Sequence, residues 1–130
     1  MSSIFKAYDV RGVYPEELNE AIAEKVAAAM ARHFGRGAKL IIGRDARLSS
    51  PSLYKAVRKG LQVKGEGLKI IDAGLMTTPT LYFLVNTLKA AGGIMVTASH
   101  NPKQYNGLKV VRKQARSVSG VEVEKIMTNS

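Results

Sequence analysis

The candidate reacting group of this sequence is Ser99, which follows the apolar segment 93–98 and precedes His100, Asn101 and Pro102. The apolar segment is typical of a buried strand and the proline stops regular structure, so we expect the serine at a strand tip. Reacting groups tend to lie on loops held by a rigid strand, because the scaffold fixes their position while the open end admits substrate. Ser99 is therefore a candidate nucleophile or a candidate carrier of a transferred group.

Acyl transfer is the weaker of these two chemistries. The sequence has no Gly-x-Ser-x-Gly motif, and its two histidines are His33 and His100. His100 adjoins Ser99, and adjacent side chains on extended backbone point in opposite directions, which disfavours a hydrolase triad. Ser52-Leu-Tyr-Lys55 matches the Ser-x-x-Lys pattern of penicillin-recognising enzymes, but without a Lys-Thr-Gly motif we interpret it as an ordinary helix start.

Phosphoryl transfer needs positive charge around the serine, both to hold the phosphate dianion and to stabilise its transfer. Arg11 and Lys109 are the candidate cations. Lys109 lies among strand-like residues shortly after residues 99–105, which are called the serine loop below. For the neighbouring basic residues, a solvated surface is as good an interpretation as a functional one. These residues are Arg112, Lys113 and Arg116.

The composition describes one globular domain with an excess of positive charge. The chain has 130 residues, 45% of them hydrophobic, and a formal net charge of +10. This charge favours an anionic partner such as a phosphate ester, an acidic neighbouring domain or nucleic acid. The alternative hypothesis is a basic nucleic-acid-binding module without enzymatic activity. Aromatic residues make up only 6% of the chain, however, and they are not interleaved with the basic residues as they are on surfaces that stack bases.

Other features bound the location and the chemistry. No apolar run approaches the roughly 20 residues that span a bilayer, and the N-terminus lacks the pattern of a signal peptide, so we expect a cytoplasmic protein without a membrane partner. The sequence contains no cysteine, which excludes disulfides, thiolate metal sites and cysteine nucleophiles.

Helical and strand-like segments alternate along the chain. Leu18, Ile22, Val26, Met30 and Phe34 recur every four residues, which predicts a helix that begins with Pro15-Glu-Glu-Leu18 and ends at Gly35 or Gly37. Further helices are predicted to begin at Ser50-Pro51, Thr78-Pro79 and the capping box Ser119-Gly-Val-Glu122, with strands at 39–43, 68–72, 93–98 and 108–111.

This alternation predicts the α/β class: a three-layer α/β/α domain with a mixed, mostly parallel sheet of about four strands. Ligands gather at the carboxyl ends of such strands, which groups the segments 43–47, 72–74 and 97–101. Asn106-Gly107 is a turn dipeptide and predicts that the next strand returns antiparallel, with Lys109 directed towards Ser99.

The serine loop also carries a resemblance to a known family. Thr97-Ala-Ser-His-Asn-Pro102 and Tyr105-Asn-Gly-Leu-Lys109 resemble the phosphoserine loop of the α-D-phosphohexomutases. Phe5-Lys-Ala-Tyr-Asp-Val-Arg-Gly12 is similar to that family's opening, and Gly43-Arg-Asp-Ala-Arg-Leu-Ser-Ser-Pro51 and Thr78-Pro-Thr80 follow in the family's order. The resemblance covers almost the whole chain, and the opening resembles the phosphomannomutase/phosphoglucomutase branch.

The resemblance implies a reaction and a set of site residues. Ser99 would be the phosphoserine that interconverts hexose 1-phosphate and hexose 6-phosphate, of mannose or glucose, through a bisphosphorylated sugar. Arg11 and Lys109 would lie beside the reacting oxygens and bind substrate, and His100 would orient the serine or deliver protons. Tyr8 would line the sugar site, although a core or edge aromatic is an equally good interpretation.

The resemblance also implies Mg²⁺, held by the phosphate on Ser99 and by aspartates of a second domain. The three aspartates of this chain, Asp9, Asp45 and Asp72, lack the Asp-x-Asp-x-Asp spacing of such a site. For Asp45 we expect instead a structural ion-pair network with Arg44 and Arg47 behind the loop.

Residues 1–130 would then be the first of four domains, truncated in its final helix. The other three domains of the same chain are the expected partners, and the fragment alone is expected to be inactive.

Overall fold

The computed structural model describes residues 4–62 and 66–129 of the chain. The truncation expected in the final helix falls at Ser130, which lies outside the described residues. The strands are β1 (Val10–Val13), β2 (Lys39–Arg44), β3 (Lys69–Leu75), β4 (Gly92–Val96), β5 (Tyr105–Arg112) and β6 (Arg116–Val118). The α-helices are α1 (Glu20–Phe34), α2 (Ser50–Leu61), α3 (Thr78–Thr87) and α4 (Gly120–Asn129), and a short 3-10 turn covers Lys113–Ala115.

The strands form one mixed sheet in the order β1-β5-β4-β2-β3, with β6 also paired to β5. Strand β2 is parallel to β3 and β4, whereas β5 is antiparallel to β4, β1 and β6. Within the described residues, five strands therefore run in one direction and β5 alone is reversed, which confirms the mixed, mostly parallel sheet. The described part of the chain has six strands rather than about four, because β1 and β6 are too short to show a periodic pattern in the sequence.

Helices cover both faces of the sheet and give the predicted three layers. On one face, α1, α2 and α4 bury their apolar sides against residues of β2, β4 and β5, among them Leu40, Ile42, Ile94 and Leu108. On the other face, α3 packs Leu81 and Val85 against Ile41, Met95 and Val111. None of the helices in the described residues has the length and apolar character that crossing a bilayer requires.

Helix α1 begins later than the sequence predicted. Asn19 caps the helix by accepting a hydrogen bond from the Ile22 amide at 3.1 Å, so the helix starts at Glu20. The segment 15–18 forms a turn instead, and the Glu17 carboxylate accepts from the Val13 amide at 2.8 Å. The prediction of a start at Pro15 was wrong, because the Asn19 side chain can cap an amide of the first helical turn, which the carboxylate and proline side chains of the 15–18 turn do not do.

The other helix starts agree with the sequence. Helix α2 carries a proline in its first turn, and Thr77 caps α3 by accepting from the Thr80 amide. The Ser119 hydroxyl accepts from the Glu122 amide at 3.0 Å, which confirms the cap of α4.

The prediction of a turn at Asn106-Gly107 was wrong, since both residues lie inside β5. The chain reverses before β5 begins, and the antiparallel return of β5 against β4 is as expected. The Asn106 amide is buried and donates to the hydroxyls of Ser49 and Ser50 at 2.8 and 3.0 Å. A Cβ at Gly107 would lie 2.5 Å from the Val10 carbonyl oxygen, so glycine is required here for strand contact rather than for a turn.

Gly60 sets the approach of α2 to α1. A Cβ at this position would lie 2.3 Å from the carbonyl oxygen of Glu24 and 2.8 Å from the Cβ of Ala27, both on α1. Because backbone cannot rotate aside as a side chain can, any larger residue must push the two helices apart.

We expect Gly60→Ala to lower the free energy of unfolding by about 1–3 kcal/mol, the cost of overpacking a tight contact. Alanine improves helix propensity by about 0.5–1 kcal/mol, which is too little to offset this cost. Urea unfolding measures the change, with Lys55→Ala on the exposed side of the same helix as the control. A Gly60→Ala protein as stable as the wild type would contradict the tight contact.

Candidate functional site

Ser99 lies where the sequence placed it, just beyond the carboxyl end of β4. Thr97 and Ala98 are still buried, whereas Ser99 and His100 are exposed. Ser99 has a φ of +56°, in the left-handed region that a residue with a side chain adopts at a cost of about 1–2 kcal/mol. The surrounding structure therefore holds an exposed hydroxyl in a backbone conformation that the residue does not prefer.

A cavity of about 810 Å³ opens beside this serine. Ser99 and His100 border it together with Met95 and Thr97 of the β4 side. The opposite wall is formed by the segment that leads into α3, residues 75–79, and by Asp45 and Ala46. The volume suits a ligand of small-molecule size, and the two predicted residues of the serine loop face the same space.

A chain of hydrogen bonds connects the Ser99 backbone to Asp45. The Ser99 amide donates to the Thr97 hydroxyl at 3.0 Å, and that hydroxyl donates to the Asp45 carboxylate at 2.6 Å. The other oxygen of Asp45 accepts from the Ser50 hydroxyl at 2.5 Å and from the Arg47 amide at 3.2 Å. Asp45 is thus fixed by α2 and by its own loop, and it fixes the start of the serine loop in turn.

Arg47 holds the rest of the serine loop. Its Nε lies 3.3 Å from the Asp45 carboxylate, and its two terminal nitrogens donate to four backbone carbonyls of the loop. These carbonyls belong to Ser99, Asn101 and Pro102, each at 2.8 Å, and to Tyr105 at 3.1 Å. The ion pair between Arg47 and Asp45 agrees with the predicted structural network. The four bonds from Arg47 to the loop carbonyls, called the clamp below, were not predicted, because no local sequence pattern signals them.

Two other residues near the serine loop also form contacts that support it. Arg44 donates to the backbone carbonyl of Asp45 at 3.1 Å, so it supports this network without joining the ion pair. The Asn101 side chain donates to the Ala98 carbonyl at 2.9 Å, which stabilises the turn of the loop.

Arg11 and Lys109 lie on the face of the sheet that α3 covers. Lys109 is paired with Met95 of β4, which belongs to the apolar cluster under α3. Its neighbours in the strand, Leu108 and Val110, point to the opposite face and belong to the larger core. Arg11 is paired with Gly107, whose carbonyl accepts from the Thr97 amide at 2.9 Å. Gly107 has no side chain, so nothing on β5 separates Arg11 from Thr97 on this face.

The buried carboxylate of Asp9 joins these two cations. Asp9 is only 1% exposed, and its Oδ2 lies 3.4 Å from Lys109 Nζ while its Oδ1 lies 4.0 Å from Arg11 Nε. Among the described residues, Oδ1 of Asp9 is a buried side-chain oxygen without a hydrogen-bond partner. Sequence reasoning missed this role of Asp9, although an acid two residues before a candidate arginine is a usable signal.

Asp72 does not belong to the site, which corrects the expected grouping of segment 72–74 with the serine loop. Asp72 accepts from the Tyr54 hydroxyl and pairs with Arg58 at 2.6 Å, both on α2, and it does not line the Ser99 cavity. Burial and the bond to Asp72 raise the pKa of Tyr54 to about 12, and the same bond lowers the pKa of Asp72. The reason for the error is that Asp72 lies inside β3 rather than beyond its end.

The remaining predicted residues lie at the surface. Tyr8 is 78% exposed, so its interpretation as a core aromatic was wrong, while its role at a sugar site stays a prediction. Arg112 pairs with Glu122 of α4, whereas Lys113 and Arg116 are exposed as a solvated surface would be.

Comparison with known proteins agrees with this geometry. A sequence model of the family described as phosphoglucomutase/phosphomannomutase, alpha/beta/alpha domain I, matches residues 2–130. The chain belongs to this family. The structure superimposes on a phosphoglucomutase/phosphomannomutase family protein from Burkholderia thailandensis with a TM-score of 0.85 and 32% identity, over 99% of this chain and 30% of that one.

Two curated relatives define the extent of the match. "Phosphohexose mutases" from Xanthomonas campestris pv. campestris (strain B100) is 50% identical over 115 residues, which cover 88% of this chain and 25% of that protein. A "Phosphomannomutase" from Klebsiella pneumoniae is 47% identical over 116 residues, 89% of this chain and 72% of that one. The chain thus spans about a quarter of the length of the Xanthomonas relative.

Replacing Arg47 by lysine tests the clamp on the serine loop. One ammonium group cannot reach four carbonyls at once, so we expect the amides of residues 99–105 to exchange with solvent about tenfold faster, equal to about 1.4 kcal/mol in opening free energy. Hydrogen exchange with mass spectrometry of peptides from this loop measures the effect. Arg58→Lys, which changes the arginine paired with Asp72, is the matched control. Unchanged exchange in the Arg47→Lys loop would refute the clamp.

Proposed function

We propose that the chain is the catalytic-serine domain of a phosphomannomutase/phosphoglucomutase, and that Ser99 carries the transferred phosphoryl group. The observation that carries this proposal is the placement of an exposed, conformationally constrained Ser99 at a cavity on the face of the sheet that also carries Arg11 and Lys109. Family membership adds support, because the curated relatives bear the names of hexose-phosphate mutases.

In the proposed reaction, a hydroxyl oxygen of a hexose monophosphate attacks the phosphorus atom held by Ser99. The bond between phosphorus and Ser99 Oγ breaks, the sugar hydroxyl gives up its proton and the serine oxygen takes one up. The products are a bisphosphorylated sugar and free serine. Transfer of the sugar's other phosphoryl group to Ser99, by the same steps in reverse, releases the isomeric monophosphate.

Each nearby side chain has a proposed part in this transfer. Arg11 and Lys109 bind the phosphate oxygens and offset the negative charge that is spread over the transferring group. His100 is exposed beside Ser99 at the cavity, where an imidazole orients the serine or exchanges protons with the reacting oxygens. Tyr8, with most of its ring in solvent, is free to contact a sugar.

Mg²⁺ is the proposed cofactor, and the described residues do not supply a complete site for it. Within residues 4–62 and 66–129, no group of three or more His, Asp or Glu side chains is placed to hold a metal. Asp9, Asp45 and Asp72 each face a basic partner instead. A phosphate on Ser99 would offer Mg²⁺ an oxygen ligand, and we propose that other domains of the full-length protein supply the rest.

The first test of this function is the phosphorylation of Ser99. We expect intact-mass measurement of the full-length protein to find one phosphate adduct, which peptide mapping assigns to Ser99. Ser99→Ala should lose the adduct and about 10³-fold or more of the turnover of glucose 1-phosphate or mannose 1-phosphate, because the transferred group has no carrier. Ser52→Ala, which removes a hydroxyl that bonds Glu20 away from the cavity, is the control. Full turnover in Ser99→Ala would sink the proposal.

The second test concerns the chain by itself. We expect residues 1–130 to show no measurable interconversion of glucose 1-phosphate and glucose 6-phosphate, because the described residues offer no complete metal site. A coupled assay run beside the full-length protein at equal molar concentration measures this. Robust turnover by the 130-residue chain would show that the domain is sufficient.

A further inference from the structure

The least explained charged group of the described structure is the carboxylate of Asp9. Its exposure is 1%, and one of its two oxygens has no hydrogen-bond partner among the described residues. Burying a carboxylate costs several kcal/mol, and an imperfectly bonded ion pair does not return that cost in stability. A requirement other than folding must therefore account for an acid at this position.

The backbone around Asp9 is rigidly supported. The Asp9 carbonyl accepts from the Lys6 amide at 2.8 Å, and a Cβ added to Gly120 at the start of α4 would lie 2.3 Å from the same carbonyl oxygen. The residue that follows Asp9 begins β1, where Val10 is completely buried. The carboxylate is consequently held in place from the main-chain side, and its two cationic neighbours must adjust to it.

The cations that face this carboxylate are the two that the proposed reaction uses. Lys109 Nζ lies 3.4 Å from Oδ2, and Arg11 Nε lies 4.0 Å from Oδ1, beyond hydrogen-bond range. Two cations on one sheet face would repel each other and turn towards solvent, and a single anion between them prevents this. The side chains of Lys109 and Arg11 are 20% and 31% exposed, so both also reach the open side of the face.

We propose that Asp9 is a positioning residue for phosphoryl transfer, acting through Lys109 and Arg11. Its carboxylate holds the ammonium and the guanidinium on the Ser99 side of the sheet when no phosphate is bound. The unpaired oxygen and the 4.0 Å gap leave Arg11 loosely held, so that it can turn from Asp9 to a phosphoryl group without breaking a hydrogen bond. This inference rests on the proposed function, because it assumes that the two cations contact the transferring group.

The test uses Asp9→Asn in the full-length protein, with glucose 1-phosphate as the substrate. We expect kcat to fall by about 10–100-fold, since small displacements of catalytic groups have effects of this size. KM should stay constant or fall, because the phosphate site loses a negative charge. Rates are expressed per mole of phosphorylatable Ser99 and thermal melting is recorded, so that a loss of folded protein is not counted as a loss of kcat.

Two further variants separate positioning from a structural role. Asp72→Asn makes the same change in an acid that pairs with Arg58 away from the cavity, and it should keep kcat within about twofold of the wild type. Lys109→Met removes one of the groups through which Asp9 acts. The fall in kcat that Asp9→Asn causes should therefore be several-fold smaller in the Lys109→Met protein than in the wild-type protein.

The outcomes distinguish this inference from the function on which it rests. An active wild type with an unaffected Asp9→Asn variant, a KM that rises in proportion to the loss of kcat, or full additivity with Lys109→Met overturns the positioning role alone. A full-length wild type that fails to turn over hexose phosphates overturns the proposed function and this inference with it.

Discussion

The arrangement of the candidate site depends on the bonds between the Arg47 guanidinium and four backbone carbonyls of the serine loop. Ser99 adopts a left-handed backbone conformation that costs about 1–2 kcal/mol, and exposed residues in such a conformation relax unless their surroundings fix them. Charge-assisted bonds from a planar guanidinium can fix a loop in this way, because the rigid fork of donors addresses several acceptors at once. Asp45 orients Arg47 and, through the Thr97 hydroxyl, is also connected to the Ser99 amide. One carboxylate therefore stabilises both the start of the serine loop and the arginine that binds the rest of it.

The two faces of the sheet differ in composition: one forms the main apolar core, and the other carries the charged residues of the candidate site. The face under α1, α2 and α4 is a continuous apolar core, to which β5 contributes Leu108 and Val110. The face under α3 has a much smaller apolar cluster, and the same strand contributes the charged Lys109. Alternation along β5 therefore lets one strand anchor the fold and carry a cation. Since α3 covers this face only in part, space remains beside Ser99 for a ligand.

Features that depend on local chemistry were predictable, and features that depend on distant partners were not. The apolar runs of β2 and β4, the start of α3 and the cap of α4 were predicted correctly, because burial and helix-start residues are visible within a few residues. Asn106-Gly107 misled the prediction of a turn, because the same residue types also suit a buried amide and a close strand contact. The short strands β1 and β6 exist only because β5 offers them an edge.

The sequence by itself determined the α/β class, the position of Ser99 at the end of a buried strand and the resemblance to the phosphohexomutases. These conclusions rest on periodicity and on ordered motifs, which are properties of the chain read in one dimension. Tertiary structure alone decided which charges meet. Lys109 and Asp9 are 100 residues apart in the chain, and Arg47 and the Ser99 carbonyl are 52 apart. The physical reason is that sheet pairing, which brings such residues together, depends on strand order and register, and neither is written in the pattern of any single segment.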